Sequence, residues 1–197
     1  TQVTAEQLAQ DACEIEIEIL GKPIGKQDQY IAAFGGVREI TFHPDGRVTV
    51  ETIDIPNNNI RVFGSNILLF YTNITRKSSS ILEEQKSKTK NKFDILLEMR
   101  DQVPQFRKIL ENCVYFDDCG HMLHEAWLLK QQLTSKISNE FINKMYECSH
   151  NAGALGGKIS GAGGGGFLML YVPREIQNQV RDVMSEYREL PFMFDPD

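Results

Sequence analysis

The stretch that most constrains this chain spans residues 153–172, GALGGKISGAGGGGFLMLYV. Four consecutive glycines, Gly163, Gly164, Gly165 and Gly166, stand behind Gly161 and Ala162 and run straight into an apolar segment from Phe167 to Val172. Glycine surrenders more conformational freedom on folding than any other residue, so such a cluster costs stability unless the backbone needs it. Two needs fit. One is a main chain whose bare N–H groups form a concave cradle for an anion such as phosphate. The other is a tight connection that serves packing alone. The order of elements excludes the common phosphate loops. A helical pattern in Phe141, Met145, Cys148 and Ala152 ends at Gly153, the glycines follow, and a strand comes next. The dinucleotide fingerprint and the Walker loop both follow a strand and open a helix. Gly-x-Lys-Ser/Thr is also absent.

With 197 residues, the chain is long enough for one well-buried domain, or one domain plus part of another. Its formal charge of −6 argues against a nucleic-acid partner, which would call for a basic face. A small anionic ligand stays compatible, because a local patch can oppose the global sign. No apolar run approaches a membrane span, and the opening TQVTAEQLAQ is not a signal peptide, so we expect no membrane association and a cytoplasmic protein. Cys13, Cys113, Cys119 and Cys148 form no CxxC pair and read as reduced thiols. Cys119, His121 and His124 are spaced C-x-H-x-x-H. Only the two histidines share a helix face and no fourth ligand is nearby, so no metal is assigned.

Along the chain, Thr4, Ala5, Glu6 and Gln7 read as a capping box, followed by Leu8, Ala12, Ile15 and Ile19 at helical spacing. That helix is expected to end at Gly21-Lys22-Pro23 and to bury its apolar stripe in a core lying largely ahead of Thr1. Tyr30 to Phe34 forms a short apolar segment. Strands 37–42 and 47–53 flank the turn His43-Pro44-Asp45-Gly46, whose proline and glycine suit a type I turn. Pro56 and the three asparagines after it mark a hinge or domain boundary. The apolar run 66–72 predicts a central strand. Residues 81–113 are helical in composition, with Pro104 either kinking the helix or opening a second one. Asp117 and Asp118 cap a helix striped by Met122, Ala126, Leu129 and Leu133, with Trp127 beside it. Asn139 starts the helix leading into the glycines. After the strand 167–172, Pro173 and Arg174 open a helix with Ile176, Val180, Val183 and Tyr187 on one face. Residues 191–195 read as the start of a strand. The order suggests an α+β fold with helices layered on one face of an antiparallel sheet.

Three stretches together resemble the GHMP family of small-molecule kinases. Lys158-Ile159-Ser160 with residues 161–167 is similar to that family's third, C-terminal motif. Gly25-Lys26-Gln27-Asp28-Gln29 resembles the segment carrying the acidic residue of its sugar-kinase branch. Residues 71–80, which include Arg76 and Ser79, correspond to a Thr/Arg/Ser segment after the domain crossover. Residues 117–125, 127–130, 151–157 and 190–194 draw the likeness toward kinases acting on O1 of D-glycero-D-manno-heptose 7-phosphate. The resemblance implies the end of a GHMP N-terminal domain over residues 1–64, then a ferredoxin-like C-terminal domain over 65–197 whose last strands are expected beyond the chain. It also implies ATP and Mg2+ as cofactors and a sugar phosphate as partner substrate; an exposed apolar stripe of Leu8, Ile15 and Ile19 would leave a homo-oligomer as an open option. The family's Gly-Leu-Gly-Ser-Ser loop has no counterpart here. The principal nucleotide and magnesium ligands are therefore expected in sequence upstream of Thr4.

The resemblance makes Asp28 the catalytic residue, orienting the anomeric hydroxyl or taking its proton, as a carboxylate can at neutral pH. From its residue type alone Asp28 is equally an N-cap for the helix at Tyr30. Gly25, Gln27 and Gln29 would line the sugar, and Arg76 would grip a phosphate through its bidentate fork with Ser79 beside it. Lys158 and Ser160 would touch sugar or phosphate. Gly161, Ala162, Gly163, Gly164, Gly165 and Gly166 would form the ATP-phosphate loop. Glu125 and Lys130 stand behind these as site-lining residues. Lys77 and Lys158 also suit a solvated surface. Alternatives are another hexose 1-kinase, such as a fucokinase, and a non-catalytic ligand-binding or interaction module.

Overall fold

The computed structural model describes residues 3–75, 78–112 and 115–193. Its contacts divide the chain into two compact units that meet in sequence between Pro56 and Asn57.

The first unit opens with α1, Ala5–Cys13, whose N-cap Thr4 accepts a hydrogen bond from the Gln7 amide at 3.1 Å. The helix widens into a π-helical turn, Glu14–Ile19, before Gly21 ends it with a positive φ of 63°. Helix α2, Gln27–Phe34, follows. Strands β1, Arg38–Phe42, and β2, Val48–Thr52, then form an antiparallel hairpin with Ile40 opposite Val50. Its turn closes as expected, the Gly46 amide donating to the His43 carbonyl at 3.0 Å. Ala9, Cys13 and Tyr30 make the core, with Ile17, Phe34, Ile40, Val48 and Val50 packed against them. The buried face of α1 therefore differs from the expected stripe. Leu8 and Ile15 are each 51% exposed and Ile19 68%. Glutamate and isoleucine alternate over residues 14–19, a period of two wound into a helix, and only Ile17 of these isoleucines packs on the core.

The second unit begins with α3, Asn57–Ser65. The two units divide at Pro56, where a hinge or boundary is expected, and the three asparagines form the first turn of α3. Phe63 packs on Phe116 and Tyr171 within this unit. Strands β3, Ile67–Tyr71, β4, Gly156–Ile159, and β5, Phe167–Tyr171, form an antiparallel sheet in the order β3-β5-β4. The far edge of β3 is also covered. The Tyr71 amide donates to the Arg188 carbonyl and the Leu190 amide to Leu69, both at 2.8 Å, around a bridge between Phe70 and Glu189. So β3 is internal, as its unbroken apolar run indicates. The closing pairing lies just ahead of the expected strand, since Pro191 has no N–H to give a ladder. The resulting β-α-β-β-α-β order is the ferredoxin-like arrangement.

The helices are α4, Ser78–Lys88, α5, Phe93–Asp101, α6, Val103–Asn112, α7, Phe116–Gln131, α8, Glu140–Asn151, and α9, Gln177–Val183. Pro104 is the second residue of α6, where no intrahelical N–H is required. Tyr115 takes the N-cap position of α7, so Asp117 and Asp118 lie in its first turn and oppose the positive helix end. Asn139 caps α8 by accepting from the Ile142 amide at 3.0 Å. Trp127, Leu133, Ile137, Ile142 and Met145 pack against Leu68, Phe70, Ile159, Leu168 and Leu170. Val180 of α9 joins that core, but Val183 is exposed. Strand β4 was invisible in sequence because its glycines disfavour extended structure. A Cβ at Gly156 would collide with the Gly120 carbonyl and His124 amide of α7, and one at Gly157 with the Met169 carbonyl. The bare strand lets the α7 backbone lie directly on it.

Candidate functional site

The glycine turn joins β4 to β5, and its amides are partly spent. The Gly164 amide donates to the Ile137 carbonyl at 2.7 Å and the Gly166 amide to Ile74 at 2.9 Å. The Gly166 carbonyl in turn accepts from the Thr72 amide and hydroxyl, at 2.9 and 3.0 Å. Gly164 and Gly165 are buried. In this half of the turn the Gly164 and Gly166 amides are bonded to neighbouring backbone. The half that begins the turn is different. Gly161 is exposed, with open space where a Cβ would stand, and the Gly161 and Ala162 amides have no acceptor among the described residues. Ser160 is exposed beside them, its amide held by the Phe167 carbonyl at 2.9 Å.

Lys130 reaches that open half. Lys130, in the last turn of α7, donates from Nζ to the Gly161 carbonyl at 2.7 Å. Lys158 projects from β4, paired in register with Met169. Burial lowers the pKa of both, and the Lys158 cation pushes Lys130 further, to about 8. Nothing in the spacing of Lys130 reveals that its helix ends against the glycine turn. Glu125, its companion on that helix, is exposed.

The Asp28 segment belongs to the first unit. Lys26 occupies the N-cap position of α2 and Asp28 lies in the first turn, exposed and without a hydrogen-bond partner among the described residues. The capping role open to it in sequence is therefore not the one it fills. Gly25 and Gln27 are exposed and line a cleft of about 490 Å³ together with Ile17, Ile24, Phe42 and His43. Gln29 turns inward instead. It is 8% exposed, its Nε2 donates to Glu16 at 3.3 Å, and its Oε1 is buried without a partner. Its amide is committed to the π-helical turn, where Glu16 also holds Lys22 at 2.8 Å. Ser79 is half-buried in the first turn of α4, and Arg76 lies outside the described residues.

Cys119 is fully buried and its thiol is pushed up to about 12, chiefly by burial, which makes it an inert packing residue. His124 engages other partners: its Nδ1 lies 2.7 Å from the Tyr146 hydroxyl and its ring stacks on His150 at 4.6 Å. Among the described residues, no group of three His, Cys, Asp or Glu side chains could hold a metal ion. None of the helices among them is long and apolar enough to cross a membrane.

Residues 115–189, which run from the start of α7 to the bridge on β3, match the family described as GHMP kinases C terminal. The second unit thus carries a GHMP kinase C-terminal domain. The chain is 32% identical over 184 residues to a D-glycero-alpha-D-manno-heptose 7-phosphate kinase of Campylobacter jejuni, covering 91% of this chain and 54% of that protein. It is 26% identical over 179 residues to the bifunctional fucokinase/GDP-fucose pyrophosphorylase of Arabidopsis thaliana, covering 87% of this chain and 17% of that one. The crystal structure of a Campylobacter jejuni protein described as a sugar kinase superposes with a TM-score of 0.70 at 26% identity, over 99% of this chain and 56% of its own. The chain therefore spans about half the length of the heptose-kinase relative it matches.

Proposed function

We propose that the protein is an ATP-dependent sugar kinase that transfers the γ-phosphate to the anomeric hydroxyl of D-glycero-D-manno-heptose 7-phosphate. On this reading it acts in the cytoplasm and supplies activated heptose for surface polysaccharide. The observation that carries the reading is the 32% identity to a heptose 7-phosphate kinase across nearly the whole chain. The first unit is then the closing part of a GHMP N-terminal domain and the second unit its C-terminal domain. Asp28 accepts the proton as the anomeric oxygen attacks the γ-phosphorus and ADP leaves. Its exposed carboxylate, with no partner among the described residues, is free for that role. Gly25 and Gln27 line the sugar, and Arg76, Ser79, Lys158 and Ser160 hold its phosphate and hydroxyls. Mg2+ neutralises phosphate charge when bound; the described residues offer it no cluster of ligands.

The test is a coupled ADP-release assay with the heptose 7-phosphate and ATP, comparing wild type with Asp28→Asn. We expect turnover to fall by at least about 100-fold with little change in KM, the scale of a lost general base. Normal turnover in the variant removes Asp28 from the chemistry. A second reading, another hexose 1-kinase, is favoured by the fucokinase relative. A panel of free and phosphorylated sugars separates the two by kcat/KM.

A further inference from the structure

The chain leaves β3 through a turn that is tied to the end of the glycine run. Thr72 is fully buried, and its hydroxyl is used twice. It donates to the Gly166 carbonyl at 3.0 Å and accepts the Ile74 amide at 3.3 Å. Two backbone bonds run alongside, from the Thr72 amide to the Gly166 carbonyl and from the Gly166 amide to the Ile74 carbonyl, both at 2.9 Å. A threonine oxygen that accepts the amide two residues on stands in for a backbone turn. The residue it spans, Asn73, is exposed with φ of 54°, in the left-handed region that asparagine tolerates. Across the same turn the Tyr71 hydroxyl lies 3.4 Å from that of Thr75. Thr72 and Gly166 are 94 residues apart, so these bonds join two distant parts of the chain. Buried as it is, the Thr72 hydroxyl cannot touch a ligand; its two bonds fix where the next residues begin. Those residues include Arg76 and lead through Ser79 into α4.

We propose that Thr72 is a positioning residue for the sugar phosphate: its hydroxyl holds the start of the segment carrying Arg76 and Ser79 in place against the glycine turn. This rests on the kinase reading above, in which Arg76, Ser79 and Ser160 hold one substrate. Groups on two segments can do so only if the segments keep their spacing to within about 0.5 Å. Without the Thr72 hydroxyl the Ile74 amide loses its acceptor and Asn73 loses the bond that favours its left-handed turn. The backbone bonds to Gly166 can persist, so the segment loosens while the sheet stays folded. The groups it carries bind substrate alike before and during transfer, so KM rises and kcat holds.

Thr72→Val keeps the shape and removes the hydroxyl, and Thr72→Ser restores it. Asn73→Val, at an exposed position, opposes the same turn without touching the core, because a β-branched residue is an outlier at positive φ. In the ADP-release assay we expect KM for heptose 7-phosphate to rise at least about 10-fold in Thr72→Val and Asn73→Val, with kcat within about 3-fold. Thr72→Ser should return KM to within about 2-fold of wild type. A residue that served stability alone would lower kcat with the folded fraction and leave KM unchanged. Amide hydrogen exchange needs no activity and reads the clamp directly. Ile74 and Gly166 should exchange at least about 10-fold faster in Thr72→Val, relative to Leu168 and Leu170 of β5. Faster exchange in a protein that releases no ADP with any sugar would keep the clamp and remove the kinase reading. Unchanged KM in an active Thr72→Val enzyme, or unchanged exchange at Ile74 and Gly166, overturns the proposal. If Thr72→Val does not fold, Asn73→Val is read for the same two outcomes.

Discussion

Gly165→Ala separates the packing half of the glycine turn from the open half. At Gly165 the backbone has φ of 156°, and an added Cβ would stand 2.5 Å from the Ile74 carbonyl oxygen and 3.0 Å from its carbon. Both are main-chain atoms, and no rotamer relieves them. The same carbonyl accepts the Gly166 amide at 2.9 Å, so moving it away also weakens that bond. An L residue in this backbone region costs about 1–3 kcal/mol, and loss of the bond adds about 1 kcal/mol. The sum is about 3 kcal/mol. Gly161→Ala is the matched control: φ is 78°, yet nothing lies within 4 Å of the added methyl. It should cost about 1 kcal/mol, partly offset by a less flexible unfolded chain. Trp127 is the only tryptophan and lies in the core of the same unit, so urea unfolding followed by its fluorescence reports on both variants. With a slope near 2 kcal/mol/M, the two midpoints should differ by about 1 M. Midpoints within about 0.2 M of each other would refute the claim that Gly165 is a glycine for packing.

Lys130→Met should raise stability at pH 7. The shift from 10.5 to about 8 is worth at most about 3 kcal/mol, reduced by partial solvation and by the lost bond to Gly161 to about 1 kcal/mol. Because the unfolded chain holds the extra proton, wild-type stability should climb from pH 8 to 10.5; urea titrations in the variant should lose that slope. Glu84, paired with Lys88 at 2.6 Å and Lys136 at 3.3 Å, has its pKa drawn down to about 2, first by Lys88. Its contribution should be complete above pH 4.5 and lost as pH falls through 2, read by carboxyl chemical shifts. Gln29→Met should change stability by less than about 1 kcal/mol, since losing the bond to Glu16 is offset by removing the unpartnered Oε1. If Gln29 instead holds the sugar, KM will rise at unchanged stability.

What could be read in advance divides along the range of the forces involved. Local signals were legible: Thr4 and Asn139 as caps, the His43 turn, Pro104 as either a kink or the start of a helix, and the apolar run of β3. Each depends on residues within one turn or one strand. Features set by distant backbone were not. β4 is written Gly-Gly-Lys-Ile and reads as loop until α7 is seen lying against Gly156. The burial of Ile17 rather than Ile15 or Ile19 depends on a π-helical widening that a simple helical period does not encode. The candidate site shows the same division more sharply. A run of glycines is one signal with two causes, positive φ near a ligand and absence of Cβ near a neighbour. Sequence weights the four consecutive glycines most heavily, yet Gly164 and Gly165 are buried, and the Gly164 and Gly166 amides are held by Ile137 and Ile74. The uncommitted amides belong to Gly161 and Ala162, which precede the run, and the cation that reaches this end of the turn, Lys130, comes from a helix end far away in sequence. The run thus fixes where the turn begins through contacts with Ile137 and Ile74, and leaves the two residues ahead of it with their amides unspent.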